Sequence, residues 1–238
     1  MSQKRPALFG GRHFEAVIII LCVRWYLRYS LSQRDLGEIM AERGLAVDHV
    51  TIWRWVQRYV RVLNQRIRRE LRHPNRSWRG DETYVRVAGN WRYLYRADSA
   101  GEMIGFMLSP KRDLTAATLF LRLWLSASSG IRLRVINVNG HPACARAITE
   151  LKHSGELSWS CHCRRTSPYL NNLIEQGHRF IKKRITASLG SRSVEAAWRT
   201  IDGYEAMHAI RKGQIRWLAK GDAVGQRQFI HTLLGIVV

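Results

Sequence analysis

The stretch WRGDETYVRVAGNWRYLYRA, Trp78–Ala97, marks the point at which the chain changes character. Thr83, Val85 and Val87 alternate with other residues, and Trp91, Tyr93 and Tyr95 do the same on the far side of Gly89-Asn90. Period-two alternation around such a pair predicts two strands joined as a hairpin at Gly89-Asn90. Downstream, Met103–Leu108 reads as a third strand, and Asp113 opens an apolar helix over Leu114–Leu125. Leu133–Val138 is a near-continuous apolar run, the pattern of a buried parallel strand. Pro142 stands where a further helix begins and runs to Leu151, with two more helices over Asn171–Ala187 and Ser193–Ile215. Three antiparallel strands followed by helix, strand and helices predict an α/β fold.

Upstream of this stretch the sequence reads as helix throughout. Phe14, Val17, Ile18, Leu21 and Trp25 recur at three- and four-residue steps, predicting the buried face of a first helix. Ser32 starts a second helix with Asp35 in capping-box position, Leu36, Ile39 and Met40 form its apolar side, and Gly44 stops it. Asp48 caps a third helix running to about Tyr59. Two short helices around a glycine turn form the helix-turn-helix pattern, which any small helical bundle also shows. The third helix tips the balance, because His49, Thr51, Arg54, Gln57 and Arg58 can reach base edges and phosphates. From Arg54 to Arg79 there are nine Arg and a single acid, Glu70, a one-sided run that repels itself without an anionic partner. The predicted domains are an all-α helix-turn-helix region with a basic linker over 1–79 and an α/β domain with C-terminal helices over 80–238.

Composition agrees with that reading. At 46% hydrophobic and 24% charged residues, the 238-residue chain can bury a core, which excludes disorder as its main state. Lys+Arg outnumber Asp+Glu by 39 to 18, giving +21 and favouring a polyanionic partner. Of the 39, 32 are Arg, whose planar fork suits phosphates and base edges. The longest apolar run, Ala16–Val23, is too short to span a bilayer, and no signal-peptide core precedes it. We therefore expect a cytoplasmic, nucleoid-associated protein with no membrane partner and no small-molecule substrate. Cys22, Cys144, Cys161 and Cys163 do not form a disulfide framework, and Cys161-His162-Cys163 lacks a zinc spacing.

Acids are scarce, so candidates for metal-assisted phosphodiester chemistry are few. Asp81 opens the first strand, the central apolar strand ends at Asn139, and Glu175 lies near the start of the following helix. Lys182 is seven residues beyond Glu175 and on the same helical face, where an ammonium could hold a DNA phosphate; Arg179 and Lys183 are further DNA-contact candidates.

Several motifs carry a more specific resemblance. GRHF (Gly11–Phe14), VRWYLRY (Val23–Tyr29), AERGLAVDHVTIWRWVQRY (Ala41–Tyr59), WRGDETYVRV (Trp78–Val87), WRYLYRA (Trp91–Ala97), YLNNLIEQGHRFIKKRI (Tyr169–Ile185) and GYEAMHAIRKGQ (Gly203–Gln214) follow one another over nearly the whole chain. In this order they resemble the DDE-type transposases of bacterial insertion sequences, in particular insertion sequence family six. The resemblance implies a ribonuclease-H-like catalytic core behind a helix-turn-helix that binds terminal inverted repeats. It implies a D-D-E triad using two Mg²⁺ ions, with Mn²⁺ as an alternative, to free a 3′-hydroxyl and direct it at target DNA. Two ends must be held together, which implies a homo-oligomer. Asp81 matches the first Asp, Glu175 the Glu and Lys182 the basic residue after it, and 35 residues (140–174) separate Asn139 from Glu175.

One position departs from the family pattern. VNGHPAC has Asn139 where the second metal-binding Asp belongs, no other acid lies between Asp113 and Glu150, and Cys144 replaces a usual Tyr. A neutral amide cannot bridge two dications as a carboxylate does. This predicts a chain with impaired chemistry. It also keeps open a sequence-specific DNA-binding protein without catalysis, competing with intact transposase at the same ends. A ribosomal or other RNA-binding protein would fit the charge but explains neither Asp81 nor Glu175.

Overall fold

The structure, a computed structural model, describes residues 6–99, 102–127, 132–138, 140–165, 178–185 and 193–236. In chain order the elements are α1 (Ala16–Arg28), α2 (Gln33–Ala41), α3 (His49–Ile67), β1 (Ser77–Val87), β2 (Asn90–Ser99), β3 (Glu102–Ser109), α4 (Leu114–Ala127), β4 (Val135–Val138), α5 (Pro142–His153), β5 (His162–Arg165), a helical α6 at 178–185, α7 (Val194–Lys212) and α8 (Ala223–Leu233). Met1–Arg72 with Lys183–Val238 form one compact unit, and His73–Lys182 form the other. The C-terminal helices therefore pack with the N-terminal ones, whereas the sequence boundary at 79/80 had grouped them with the strands.

In the helical unit the predicted caps are present. The Asp35 N–H donates to Ser32 Oγ at 3.1 Å while the Ser32 N–H donates to Asp35 Oδ2 at 2.8 Å, a reciprocal capping box. The Val50 N–H donates to Asp48 Oδ2 at 2.9 Å and starts α3. That helix runs two turns past the predicted end at Tyr59, because Val60, Leu63 and Ile67 prolong its buried side. The buried side of α1 also differs from the predicted stripe. Ala16, Ile19, Ile20, Val23, Tyr26 and Leu27 are inside, while Val17 is exposed and Ile18, Leu21 and Trp25 are half-buried. An eight-residue apolar run offers several apolar stripes, and packing against α3 and α7 selects one. Gly203 makes that packing close: a Cβ there would stand 2.8 Å from both Leu27 Cδ2 and Val60 Cγ2. The buried Arg184 guanidinium donates to the carbonyls of Leu27, Arg28 and Tyr29, filling the C-terminus of α1 with the positive charge its dipole favours. Burial pushes the Arg184 pKa down to about 10.

The second unit is built on one five-stranded sheet in the order β3-β2-β1-β4-β5. β1, β2 and β3 are antiparallel neighbours, and β4 and β5 run parallel to β1. This is the predicted ribonuclease-H-like order, with β5 as a strand the sequence reading did not anticipate. α4 lies between β3 and β4 in the chain and α5 between β4 and β5; Asp113 caps α4, its Oδ1 accepting from the Ala116 N–H at 2.9 Å. The hairpin turn is Ala88-Gly89, one residue earlier than predicted. Both residues have positive φ (50° and 79°), the requirement of a type I′ turn, and Asn90 instead opens β2 opposite Val87. Trp124 of α4 packs against Gly80 of β1, where a Cβ would stand 2.2 Å from the indole, and Phe120 meets the indole edge to face with ring centroids 4.0 Å apart.

Gly80→Ala should lower unfolding stability by about 1–3 kcal/mol through overpacking, read by urea denaturation, and Trp124→Leu in the same chain should recover part of the loss. Burial pushes the Cys22 thiol up to about 11 and the Cys144 thiol up to about 12, whereas Cys163 is exposed. At pH 8 both buried thiols stay protonated, so alkylation of the native protein should label Cys163 first. Labelling of Cys22 and Cys144 should appear only on unfolding, as read by mass spectrometry.

Candidate active site on strand β1

Among the described residues, β4 pairs with β1 from Ser77↔Val135 to Gly80↔Val138. Asp81, expected to open the first strand, is instead the fifth residue of β1 and follows Gly80, the partner of Val138, at the carboxyl end of the described part of β4, where open α/β sheets leave room for ligands. Its side chain is partly exposed, whereas the next carboxylate, Glu82, is buried against the Arg112 guanidinium. Alternation accounts for the difference. Trp78, Gly80 and Glu82 share the face toward α4, and Asp81 lies on the other.

On that other face the hairpin register sets Asp81 opposite Arg96 and Arg79 opposite Asp98. Directly opposed residues share a face, so two cross-strand pairs of opposite charge lie side by side, and Arg96 and Asp98 are both buried.

α6 supplies the second contact. His178 is only 6% exposed, and its Nε2 lies 3.6 Å from Asp81 Oδ2. That distance is too long for a hydrogen bond, and neither ring nitrogen has a hydrogen-bond partner. One turn on, Lys182 Nζ stands 4.8 Å from the centroid of the Tyr84 ring, so residues 178–182 meet β1 at Asp81 and again at Tyr84. Arg179 and Lys183 are exposed. Cys144 on α5 stays a neutral thiol, since burial first and the Glu82 carboxylate second raise its pKa.

Of the predicted catalytic and metal-binding residues, Asp81 and Lys182 are both brought against β1, while Asn139 and Glu175 lie outside the described residues. Among the described residues, no three His, Cys, Asp or Glu side chains converge as a metal site. His178, which stands beside Asp81, was not among the residues that the sequence pointed to. The signal was there in its three-residue offset from Glu175. Arg96 could be found only through the hairpin register, which a one-residue error in the turn shifts by two.

On α3, His49, Arg54 and Arg58 are exposed, Thr51 is half-buried, and Arg61 extends the same basic stripe. Gln57, predicted to read bases, is buried instead. Its Nε2 donates to Thr200 Oγ1 of α7 at 3.0 Å, because position 57 falls on the side that carries Val56, Val60 and Leu63. No helix among the described residues is long and apolar enough to cross a membrane.

The profile of a family described as a DDE domain matches residues 75–214. The transposase for insertion sequence-like element IS431mec of Staphylococcus aureus strain Mu50 is 39% identical over 211 residues, covering 88% of this chain and 91% of the relative. The transposase for insertion sequence element IS257 in transposon Tn4003 of Staphylococcus aureus is 38% identical over the same shares. Among solved structures, the HTLV-2 integrase catalytic core domain in complex with magnesium matches with a TM-score of 0.44 at 16% identity, covering 67% of this chain and 97% of that one. With more than half of its length matched as a DDE domain and two relatives similar over most of both chains, this chain belongs to the DDE-type transposases of bacterial insertion sequences, in family six.

Proposed function

We propose that the chain binds the terminal inverted repeats of an insertion sequence through α2 and α3. At Asp81 it would carry divalent-metal-dependent strand cleavage and transfer, weakened in this copy by Asn139. The observation that carries the reading is Asp81 itself: a partly exposed carboxylate one residue past Gly80, the partner of Val138, with a buried His and a buried Arg beside it. Because Val138 pairs with Gly80, a ladder continued by one residue would put Asn139 beside Asp81. Glu175, three residues before His178, would complete the set from α6.

The donor set suits hard cations such as Mg²⁺ or Mn²⁺ only in part. Asp81 and Glu175 offer anionic oxygens, whereas Asn139 offers a neutral carbonyl oxygen. When bound, a metal pair supplies Lewis acidity toward the phosphate and an activated oxygen nucleophile. The chain's own residues set His178 and Arg96 beside Asp81 and cations, Lys182 and Arg179, along the DNA. Synapsis of two ends calls for more than one copy of the chain, acting on DNA in the cytoplasm. Asn139 also favours a second reading, in which the chain binds ends without cutting them and competes with intact transposase.

Asn139→Asp separates the two readings. With labelled end DNA and graded Mg²⁺ or Mn²⁺, the substituted chain should cleave at least tenfold faster than the chain as it stands and at lower metal concentration. Equal rates would remove Asn139 as the impairing residue, and cleavage by neither would favour the competitor. For α3, replacing His49, Arg54 and Arg58 by Ala should cost roughly 1–3 kcal/mol for each lost base contact. The ratio of end to random DNA binding should fall, and the salt dependence should flatten as phosphate contacts disappear. An unchanged ratio would show that another surface reads the ends.

A further inference from the structure

The β1–β2 hairpin carries two exposed aromatic rings that no part of the fold needs for its core. Trp91 is 62% exposed and Tyr84 56% exposed, and they meet edge to face with centroids 5.3 Å apart. The hairpin holds them rigidly. The turn has two residues, Arg86 Nε donates to the Gly89 carbonyl at 3.1 Å, and Asn90 Nδ2 donates to the Ala88 carbonyl at 3.1 Å. Arg86 lies directly opposite Trp91, so a guanidinium flanks the indole on its own face of the sheet. Lys182 already stands over the Tyr84 ring.

The charge around these rings has one sign. No acid occurs between Glu82 and Asp98, and the Glu82 carboxylate is buried against Arg112. Such a surface opposes pairing with a second copy about a two-fold axis, which would bring Arg86 and Lys182 toward their own images. It suits an anion with flat apolar faces, and a nucleic acid strand offers both. Duplex bases are already stacked, so open aromatic faces select unpaired ones. Tyr84 is three residues from Asp81 along β1, about 10 Å at ~3.3 Å per residue, and alternation sets it on the opposite face of the strand, so a DNA strand passing from one to the other follows α6, which meets Asp81 through His178 and Tyr84 through Lys182.

We propose that Trp91, braced edge to face by Tyr84, forms a stacking platform for an unpaired nucleobase of a DNA end engaged at Asp81, the strand passing along α6 to reach it, with Arg86 and Lys182 on its neighbouring phosphates. The platform rests on the proposed DNA function and adds to it a preference for DNA whose end is opened. The stack would hold the frayed strand away from its complement, keeping the phosphate near Asp81 accessible.

The test compares a fully paired end duplex with one bearing a short single-stranded tail at that end, with 2-aminopurine placed at successive tail positions. The full-length chain should bind the tailed DNA more tightly and quench 2-aminopurine at one or two positions. Trp91→Ala should lose roughly tenfold in affinity for tailed DNA, keep its affinity for the duplex, and restore 2-aminopurine fluorescence. Trp91→Phe should retain most of the preference, and both variants should keep the parent's circular dichroism because the indole is exposed. An unchanged tailed-to-paired ratio in Trp91→Ala overturns the platform and leaves the DNA function standing. If sedimentation shows that Trp91→Ala dissociates a dimer while the ratio stays fixed, the face belongs to a second copy and the proposal fails. If the unaltered chain binds neither DNA, the DNA function itself is wrong, and the platform falls with it.

Discussion

The absence of a side chain at Gly80 is the constraint on which the catalytic unit depends. With no Cβ there, the Trp124 indole lies against the β1 backbone, and α4 settles onto the sheet with Phe120 and Tyr95 packed around it. That contact buries one face of β1 next to the point where Asp81 leaves on the other. The carboxylate is therefore held by a strand clamped from behind rather than by a loop, and its place is set to within the small tolerances of a packed core. α6 meets β1 at Asp81 and Tyr84. Strand register, helix packing and the charges around Asp81 all converge on this short length of chain.

The arginine excess has two physical uses, and burial separates them. Arg184 sits inside the helical unit at the end of α1, Arg66 donates to the Leu233 carbonyl of α8, and Arg216 Nη2 donates to the Arg69 carbonyl at 3.1 Å. Arg96 is buried beside Asp81, and Arg112 neutralises Glu82. These side chains fill carbonyl clusters and balance buried acids, so they add little to the field that a polyanion meets. Arg54, Arg58 and Arg61 on α3 face solvent, as do Arg86 and Lys182 near the hairpin. The formal +21 therefore overstates the charge available to DNA, and what remains falls into local surfaces on each unit.

Much of this was legible from the chain itself wherever the signal is local. The Ser32–Asp35 capping box, the Asp48 and Asp113 caps, the Pro142 helix start and the three antiparallel strands depend on neighbours within a few residues, and they appear where local chemistry predicts. Motif order was enough to indicate the family, and it marked Asp81. The hairpin shows the limit of local reading. Gly89-Asn90 and Ala88-Gly89 are adjacent choices, yet the first would set Asp81 opposite Asp98 and the second sets it opposite Arg96. Ala88 accepts a strained positive φ because that register pairs opposite charges instead of two carboxylates.

Sequence alone determined most of the helices and strands and their order, β5 and α8 excepted, and it marked the Asp81 carboxylate within β1, because caps, periodicity and motifs act over short distances. Tertiary structure decided which side of α1 is buried, that Gln57 faces Thr200 rather than solvent, that α7 and α8 join the N-terminal helices, and that His178 stands beside Asp81. An apolar run such as Ala16–Val23 has no preferred face until a partner helix arrives, and a polar residue on a helix is free or buried according to what lies across from it. Those outcomes depend on contacts between residues far apart in the chain, as between Gln57 and Thr200 or Asp81 and His178, which no local pattern encodes.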